Sequence, residues 1–222
     1  SEMCIRDRYQ FAPEAPYNAD NDLLLRIAAN SKVAEAYYLA EATTDKEAHI
    51  ASMGKDGYMD YVIKNGTKIE GLSGASDSDV TVTGMVGEYI ITVVAVNGND
   101  KMATETTFTG LKWESIGIGM LSSSFFGGEG ECEFYKASPV LKYKAIGPFE
   151  EGYDIVFDVA DNNSVTVAQQ AVYSSYGSYG TLYVSGNGAL QSNKITVNLT
   201  FRVSAGVFGA FTETFILPVT EP

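Results

Sequence analysis

The stretch KITVNLTFRV, residues 194–203, is the clearest structural signal in the chain. Apolar side chains occupy every second position, and polar side chains fill the positions between them. Successive side chains of a β-strand point to opposite faces of a sheet, so this pattern predicts a strand with one buried and one solvated face. A short turn at 204–206 leads into FGAFTETFILPV, residues 208–219. These two apolar stretches therefore predict an antiparallel hairpin.

Shorter strands are predicted upstream of this hairpin, as far back as residue 112. Their sequences are ECEFYKAS (131–138), LKYKAIG (141–147), YDIVFDVA (153–160), SVTVAQQAVY (164–173) and TLYVSG (181–186). The glycine-rich IGIGMLSSSFFGGEGE, residues 116–131, precedes them as either a linker or a first strand with a loop. Residues 112–222 are thus expected to form an antiparallel β-sandwich or a half-open barrel.

Residues 9–111 are predicted to form a separate antiparallel β domain with an inserted helix near 44–64. Within the helix, apolar residues recur at helical spacing, Thr44 and Glu47 fit a capping box, and Gly54 and Gly57 favour a break or a close approach to the sheet. The predicted strands are DLLLRIAAN (22–30), EAYYLAEA (35–42), DVTVTG (79–84), GEYIITVVAVNGND (87–100) and MATETTFTGLKW (102–113). The fold class predicted for the whole chain is therefore mainly β.

One of these strands carries a family resemblance. Tyr89, Ile91, Val93, Ala95 and Asn97 alternate along 87–100, and this run resembles the penultimate strand of a fibronectin type III or immunoglobulin-like sandwich. The resemblance implies a two-sheet sandwich for residues 9–111. The chain departs from that family in the inserted helix and in lacking the tryptophan that usually lies on an early strand.

The order of the two domains also resembles two-domain cell-surface lipoproteins of Bacteroidetes. The KW-x-x-x-G-x-G junction of those proteins is matched by Lys112, Trp113, Gly117 and Gly119. The sequence FILP at 215–218 is similar to the usual end of their second domain. This resemblance implies an exported protein at the cell surface, at the outer membrane or in the periplasm, often associated with glycan capture. It also implies a lipid anchor, whose signal is missing from this chain. Residues 1–8 resemble translated adapter sequence and are expected to be non-native or disordered.

The net charge argues against several partners. Twenty-eight acidic and 15 basic side chains give a formal charge of −13, which repels nucleic-acid phosphates and anionic lipids. Apolar runs such as VVAV at 93–96 are far shorter than the ~18 residues of a membrane-spanning helix. We therefore expect no nucleic-acid partner and no transmembrane segment.

The residue inventory argues against catalysis. His49 is the only histidine, no G-x-S-x-G motif is present, and Cys132 lies among acidic residues that would raise the pKa of its thiol. We expect no cofactor and no enzymatic activity. Acid pairs still permit a glycosidase, with candidates at Glu150, Glu151, Asp154 and Asp158, although acidic loops and solvent faces explain them more simply. Asp158, Asp161 and Asn162 are weak calcium candidates, since such clusters also form ordinary turns.

The remaining candidates are aromatic. The stretch YSSYGSYGTLYVSGNG, residues 173–188, carries four tyrosines, of which Tyr176 is expected to be exposed at a hairpin tip with help from Tyr179. Trp113 is a third candidate, with burial between the domains as the alternative. The leading function hypothesis is a non-catalytic, surface-exposed module that binds a glycan by aromatic stacking. The alternative is a structural or protein-interaction subunit of a cell-surface complex.

Overall fold

A computed structural model describes residues 3–72 and 75–219 of the chain. The chain divides into two compact units, residues 1–112 and 113–222. The fold is mainly β with antiparallel sheets, as the sequence predicts. No helix in the described ranges is long and apolar enough to cross a membrane.

The first unit contains two sheets and one long helix among its described residues. Its elements are β1 (Ile5–Phe11), β2 (Leu23–Ala29), β3 (Glu35–Ala42), α1 (Thr43–Asn65), β4 (Thr67–Lys68), β5 (Ser76–Val82), β6 (Gly87–Asn97) and β7 (Asp100–Gly110). One sheet has the order β1-β2-β5 and the other β4-β3-β6-β7. Residues 1–8 are predicted to be non-native or disordered, and two of them, Ser1 and Glu2, lie outside the described residues. From Ile5 onward the chain forms β1, which pairs with β2.

The core of this unit lies between the two sheets. Leu25 and Ile27 of β2 and Ile91 and Val93 of β6 are fully buried in one cluster. Because these residues are two apart on each strand, each strand contributes one face to the core. Tyr89 packs against the same cluster. The alternating positions predicted for β6 at Tyr89, Ile91 and Val93 therefore lie on the face that points into the core.

Helix α1 covers the outer face of the second sheet. Tyr58 and Val62 pack against Val94 of β6, so β6 is buried on both faces, which explains its continuous apolar run. The backbone is non-helical at Gly54, as the glycine pattern indicates. The predicted capping box is wrong: the helix follows β3 directly at Thr43, so Thr44 lies inside the helix, and no side chain caps its start.

The second unit is a closed eight-stranded barrel. Its strands are β8 (Lys112–Ser123), β9 (Gly128–Ser138), β10 (Lys142–Glu150), β11 (Tyr153–Val159), β12 (Ser164–Tyr173), β13 (Leu182–Gln191), β14 (Lys194–Val203) and β15 (Gly206–Ile216). The order around the barrel is β10-β11-β12-β13-β14-β15-β8-β9. Strand β14 matches the predicted 194–203, and its hairpin with β15 is confirmed.

Closure of the barrel corrects the prediction of a sandwich or half-open barrel. Of the two alternatives for residues 116–131, the first strand with a loop is confirmed, since the stretch supplies most of β8, a turn and the start of β9. Strand β8 pairs with the last strand through Met120 and Ile216. A Cβ at Gly119 would lie 2.0 Å from the Ile216 carbonyl oxygen, so only glycine permits this approach. Eight strands enclose a space that side chains can fill, and the inward residues of β14 are all buried there.

Candidate functional site

Four connections meet at one end of the barrel. In a barrel whose neighbouring strands run in opposite directions, every second connection lies at the same end. The connections β8–β9, β10–β11, β12–β13 and β14–β15 therefore share one end. Aromatic residues are concentrated there, and we name the group the aromatic end: Phe125, Phe126, Phe149, Tyr173, Tyr176, Tyr179, Phe201, Phe208 and Phe211.

Phe125 lies at the centre of this group. Its ring stacks on Phe201 with centroids 4.0 Å apart and planes 2° from parallel. Phe211 and Phe208 approach it edge-on at 5.1 and 5.7 Å. The Tyr176 ring packs at 5.5 Å. Such ring pairs add stabilisation of about 0.5–1.5 kcal/mol each beyond their buried area, so the group forms a rigid base.

Part of the aromatic end is exposed to solvent. The Tyr179 side chain is 53% exposed, and its ring lies edge-on to Phe208, which is 38% exposed, with centroids 5.7 Å apart. Both rings line a cleft of about 150 Å³ together with Val203, Ala205 and Val207. A recess and exposed rings of the aromatic end coincide in this cleft.

The two predicted tyrosines differ in accessibility. Tyr176 is half-buried against the barrel core, so the expectation that it is the more exposed of the pair is wrong. The reason is local: residues Gly177–Tyr179 form one 3₁₀ turn that directs Tyr179 outward. Strand β13 starts only at Leu182, so Tyr179 lies outside the strand that contains Tyr183.

The segment that carries these tyrosines is held in place at both ends. The Glu150 carboxylate accepts hydrogen bonds from the backbone N–H and the hydroxyl of Ser174, the latter at 2.8 Å. The Tyr176 N–H donates to the Gly180 carbonyl oxygen at 2.8 Å, and the Thr181 hydroxyl donates to the Ser174 carbonyl oxygen at 3.2 Å. The backbone under Tyr179 is therefore preformed.

A buried carboxylate holds the β8–β9 turn in the same way. Glu213 is fully buried, and one of its oxygens accepts from the backbone N–H groups of Ser124 and Phe125 at 3.1 and 2.9 Å. Burial raises the pKa of Glu213, although these hydrogen bonds act in the opposite direction. Its other oxygen has no hydrogen-bond partner in the described part of the chain. Glu213 thus fixes the turn that places Phe125 at the centre of the aromatic end.

Trp113 lies away from this site. It is near the start of β8, ten residues before the end of the strand at Ser123, which corresponds to roughly 30 Å of extended chain. The Lys144 ammonium nitrogen lies 4.2 Å from the Trp113 ring centroid, a cation–π contact that occupies one face of the ring. The structure therefore does not bring Trp113 together with the two tyrosines.

Glu150, Asp154 and Asp158, three of the acidic candidates, have structural partners. Glu150 holds Ser174, and the Asp154 carboxylate accepts from the Gly147 N–H at 2.9 Å. Asp158 forms an ion pair with Lys142 at 2.9 Å. The Asn162 side-chain oxygen accepts a hydrogen bond from the Ser164 backbone N–H at 3.0 Å. Asp161 precedes Asn162 in the same turn. No group of three or more His, Cys, Asp or Glu side chains within 3–72 and 75–219 is arranged to hold a metal ion.

His49 and Cys132, the other chemically reactive candidates, are also engaged. His49 Nδ1 lies 2.9 Å from a Glu41 carboxylate oxygen, and its ring packs on Tyr61 at 4.4 Å. Burial raises the pKa of the Cys132 thiol to about 11, and Asp154 and Glu133 add to the effect. The predicted direction of this shift is confirmed, although burial is its main cause. A thiol with this pKa is a poor nucleophile at neutral pH.

The sequence prediction missed Phe125, Phe126, Phe208 and Glu213. The pair Phe125-Phe126 before two glycines marks an aromatic turn, but no local pattern shows which strand ends surround it. Glu213 could have been found, since it lies between Phe211 and Phe215 at strand period two and so shares their inward face. No family model, curated protein or solved structure matches the chain, so the site is interpreted from its own chemistry.

Proposed function

We propose that the chain is a non-catalytic binding module that holds a glycan at the aromatic end of its barrel. The observation that carries the proposal is the exposed Tyr179 ring beside Phe208, at the rim of a recess of about 150 Å³. An aromatic face provides a flat apolar surface for the C–H face of a sugar ring, and the tyrosine hydroxyl can hydrogen-bond to a sugar hydroxyl. Ser175 and Ser178, in the same segment as Tyr179, are exposed and carry hydroxyl groups.

Preorganisation supports binding at this position. The hydrogen bonds from Ser174 to Glu150 and from Tyr176 to Gly180 fix the segment before any ligand arrives. Ordering a flexible side chain at an interface costs about 0.5–1.5 kcal/mol, and much of that cost is absent when the rings are already packed. A shallow site with few polar contacts can thus retain useful affinity.

For the first unit we infer an immunoglobulin- or fibronectin type III-like sandwich with an inserted helix. The support is a three-stranded and a four-stranded antiparallel sheet around a single core. From the resemblance to Bacteroidetes surface lipoproteins we propose that the protein lies outside the cytoplasm, at the cell surface, at the outer membrane or in the periplasm. Attachment to a membrane would then depend on a lipid anchor.

The test combines a glycan array with affinity electrophoresis in gels containing the glycans that score. We expect Tyr179→Ala and Phe208→Ala to abolish the mobility shift, and Tyr179→Phe to keep most of it because the ring remains. Val140→Ala is the matched control, since this residue is exposed to a similar extent in the β9–β10 connection at the other end of the barrel. Binding that survives both alanine changes would refute this site.

A protein ligand is the second candidate. Val207 and Phe208 are exposed beside Tyr179, and their side chains contain no hydrogen-bonding atom, which suits a protein surface better than a sugar. If this candidate is correct, the array stays blank and a partner protein co-purifies with the wild-type chain. Phe208→Ala would then release that partner.

A further inference from the structure

Strand β7 forms the outer edge of the helix-covered sheet. Among the strands that the structure describes, β7 has a neighbour on one side only, in the order β4-β3-β6-β7. It is eleven residues long. A strand edge of this length presents backbone donors and acceptors that another strand can pair with.

The geometry of the β6–β7 turn shows which backbone groups face outward. Asn97 pairs with Asp100 across a two-residue connection, in which Gly98 has φ 61°, as the first position of a type II′ turn requires. The closing pair of such a hairpin is hydrogen-bonded, so Lys101 and Ala103 direct their N–H and C=O groups away from β6.

One contact confirms this alternation. Thr107 belongs to the same outward series as Ala103, and its carbonyl oxygen accepts a hydrogen bond from Gln10 Nε2 at 3.1 Å. The Gln10 side chain therefore occupies the edge at Thr107. The part of the edge at Lys101 and Ala103 remains without a backbone partner in the described structure.

A groove of about 570 Å³ runs between this part of β7 and helix α1. Its walls include Ile50 and Met59 of the helix, and its base includes Tyr58, Thr92 and Ala103. The small Ala103 side chain leaves the space open at the middle of the groove. A free strand edge beside a groove and a helix is the arrangement in which extended peptides add to a sheet, with backbone hydrogen bonds for affinity and a groove for alternate side chains.

Ion pairs join the helix to β7 on both sides of Ala103. Lys101 pairs with Asp60, and Lys46 pairs with Glu105. The two cations are mostly buried, at 12% exposure for Lys46 and 24% for Lys101, whereas Glu105 and Asp60 are 56% and 67% exposed. Lys55 and Asp56, both exposed, also line the groove, so its solvent-facing rim holds the carboxylates of Asp56, Asp60 and Glu105 against the Lys55 ammonium group, on a chain whose net charge is −13. This distribution favours a cationic occupant.

We propose that β7 is a docking edge for an extended, basic peptide segment of a partner protein. The peptide pairs with the outward backbone groups of Lys101 and Ala103. Its side chains on the helix side of the sheet enter the groove beside Tyr58, and the basic groups at the ends of these same side chains approach Asp60 and Glu105. This surface belongs to the first unit and is independent of the proposed glycan site in the barrel.

The test uses the full chain labelled with ¹⁵N and a blocked peptide of alternating lysine and valine, with a glutamate-for-lysine peptide as the control. We expect saturable shifts of the 101–105 amides with the lysine peptide only, weakening as ionic strength rises from about 0.05 to about 0.5 M. Ala103→Pro removes one outward N–H but no hydrogen bond to β6, and should weaken binding at least about 10-fold. Ala103→Ser keeps that N–H and should bind like the wild type.

A second probe keeps the test decisive if Ala103→Pro fails to fold. The same lysine peptide with N-methyl groups on alternate residues cannot complete the backbone ladder, and it should not bind the wild-type chain. The proposal is overturned by equal binding of the N-methylated peptide, by equal binding of the glutamate peptide, by shifts that map elsewhere, or by no saturable shift. A peptide-free dimer that Ala103→Pro dissociates would assign the edge to a second copy of this chain instead.

Discussion

Glu213 shows how a single polar residue can organise an apolar region. It shares the inward face of β15 with Phe211 and Phe215, and its carboxylate accepts the N–H groups of Ser124 and Phe125. An unpaired buried backbone N–H is costly, so the carboxylate offsets its own burial by satisfying two of them. The position of the Phe125 ring therefore depends on an acid from another strand.

This environment makes the stability of the barrel depend on pH. Burial raises the pKa of Glu213 above its usual value of about 4.3, so the folded state holds this proton more tightly than the unfolded chain. The stabilisation is fully present below about pH 4.3 and is lost as the pH rises through the raised value. Glu213→Gln is neutral at every pH and keeps the accepting oxygen.

We therefore expect the melting temperature of Glu213→Gln, relative to the wild type, to rise between acidic and neutral pH. Trp113 is the only tryptophan and lies in the barrel unit, so its fluorescence reports barrel unfolding. The measurement is a series of thermal melts of both proteins from about pH 4 to about pH 8. Parallel curves for the two proteins would show that the ionisation of Glu213 is not coupled to folding.

At the scale of elements, the path of β13 is set by its contact with β14. A Cβ at Gly188 would lie 1.9 Å from the Thr196 carbonyl oxygen, and one at Gly186 would lie 2.0 Å from that of Asn198. Both obstructing atoms belong to the backbone of β14, which cannot move without breaking the ladder. These two glycines allow a close approach inside the curved sheet.

Gly188→Ala should lower the free energy of unfolding of the barrel by about 3 kcal/mol, near the upper end of the usual overpacking cost. The matched control is Gly128→Ala in β9, where a new Cβ meets no atom within 4 Å and should change stability by less than about 0.5 kcal/mol. Chemical denaturation followed by Trp113 fluorescence measures both. Equal stability of the two variants would mean that β14 yields to the added methyl group.

Local sequence patterns predict the bounds of a strand or helix better than they predict which other elements it packs against. The period-two run at 194–203 gives β14 to the residue, and the helical spacing gives α1 to within one residue at each end. The pairing of Met120 with Ile216 joins residues almost a hundred positions apart, and nothing local in the glycine-rich 116–131 indicates it. For the same reason Tyr179 is recognisable from the sequence, whereas its neighbour Phe208 is not.

At the scale of the whole molecule, each unit has its own core. The buried cluster of the barrel extends from Leu121 to Leu217, and the clusters of the first unit lie between Ile5 and Ala95. A segment with its own core can fold as an independent domain. The first unit has two sheet layers and a covering helix, and the second has one closed sheet.

Residues 113–222 expressed alone should therefore unfold in one cooperative transition. The measurement is chemical denaturation monitored by Trp113 fluorescence and by far-ultraviolet circular dichroism, whose curves should coincide for a two-state domain. Residues 1–112 serve as the companion fragment and should give a cooperative circular dichroism transition of their own. A barrel fragment with a broad, probe-dependent transition would show that its core is not sufficient.

The closed sheet of the barrel also affects how fast its backbone amides exchange hydrogen with water. A strand at the side of an open sheet can detach by breaking one ladder, so β7 can fray while the rest of its sheet stays intact. Every strand of the barrel has two ladders, and none can leave unless both break together. The backbone amides of β14 must then wait for the unfolding of the whole barrel before they exchange hydrogen with water, whereas the amides of β7 that bond to β6 can exchange during brief local openings.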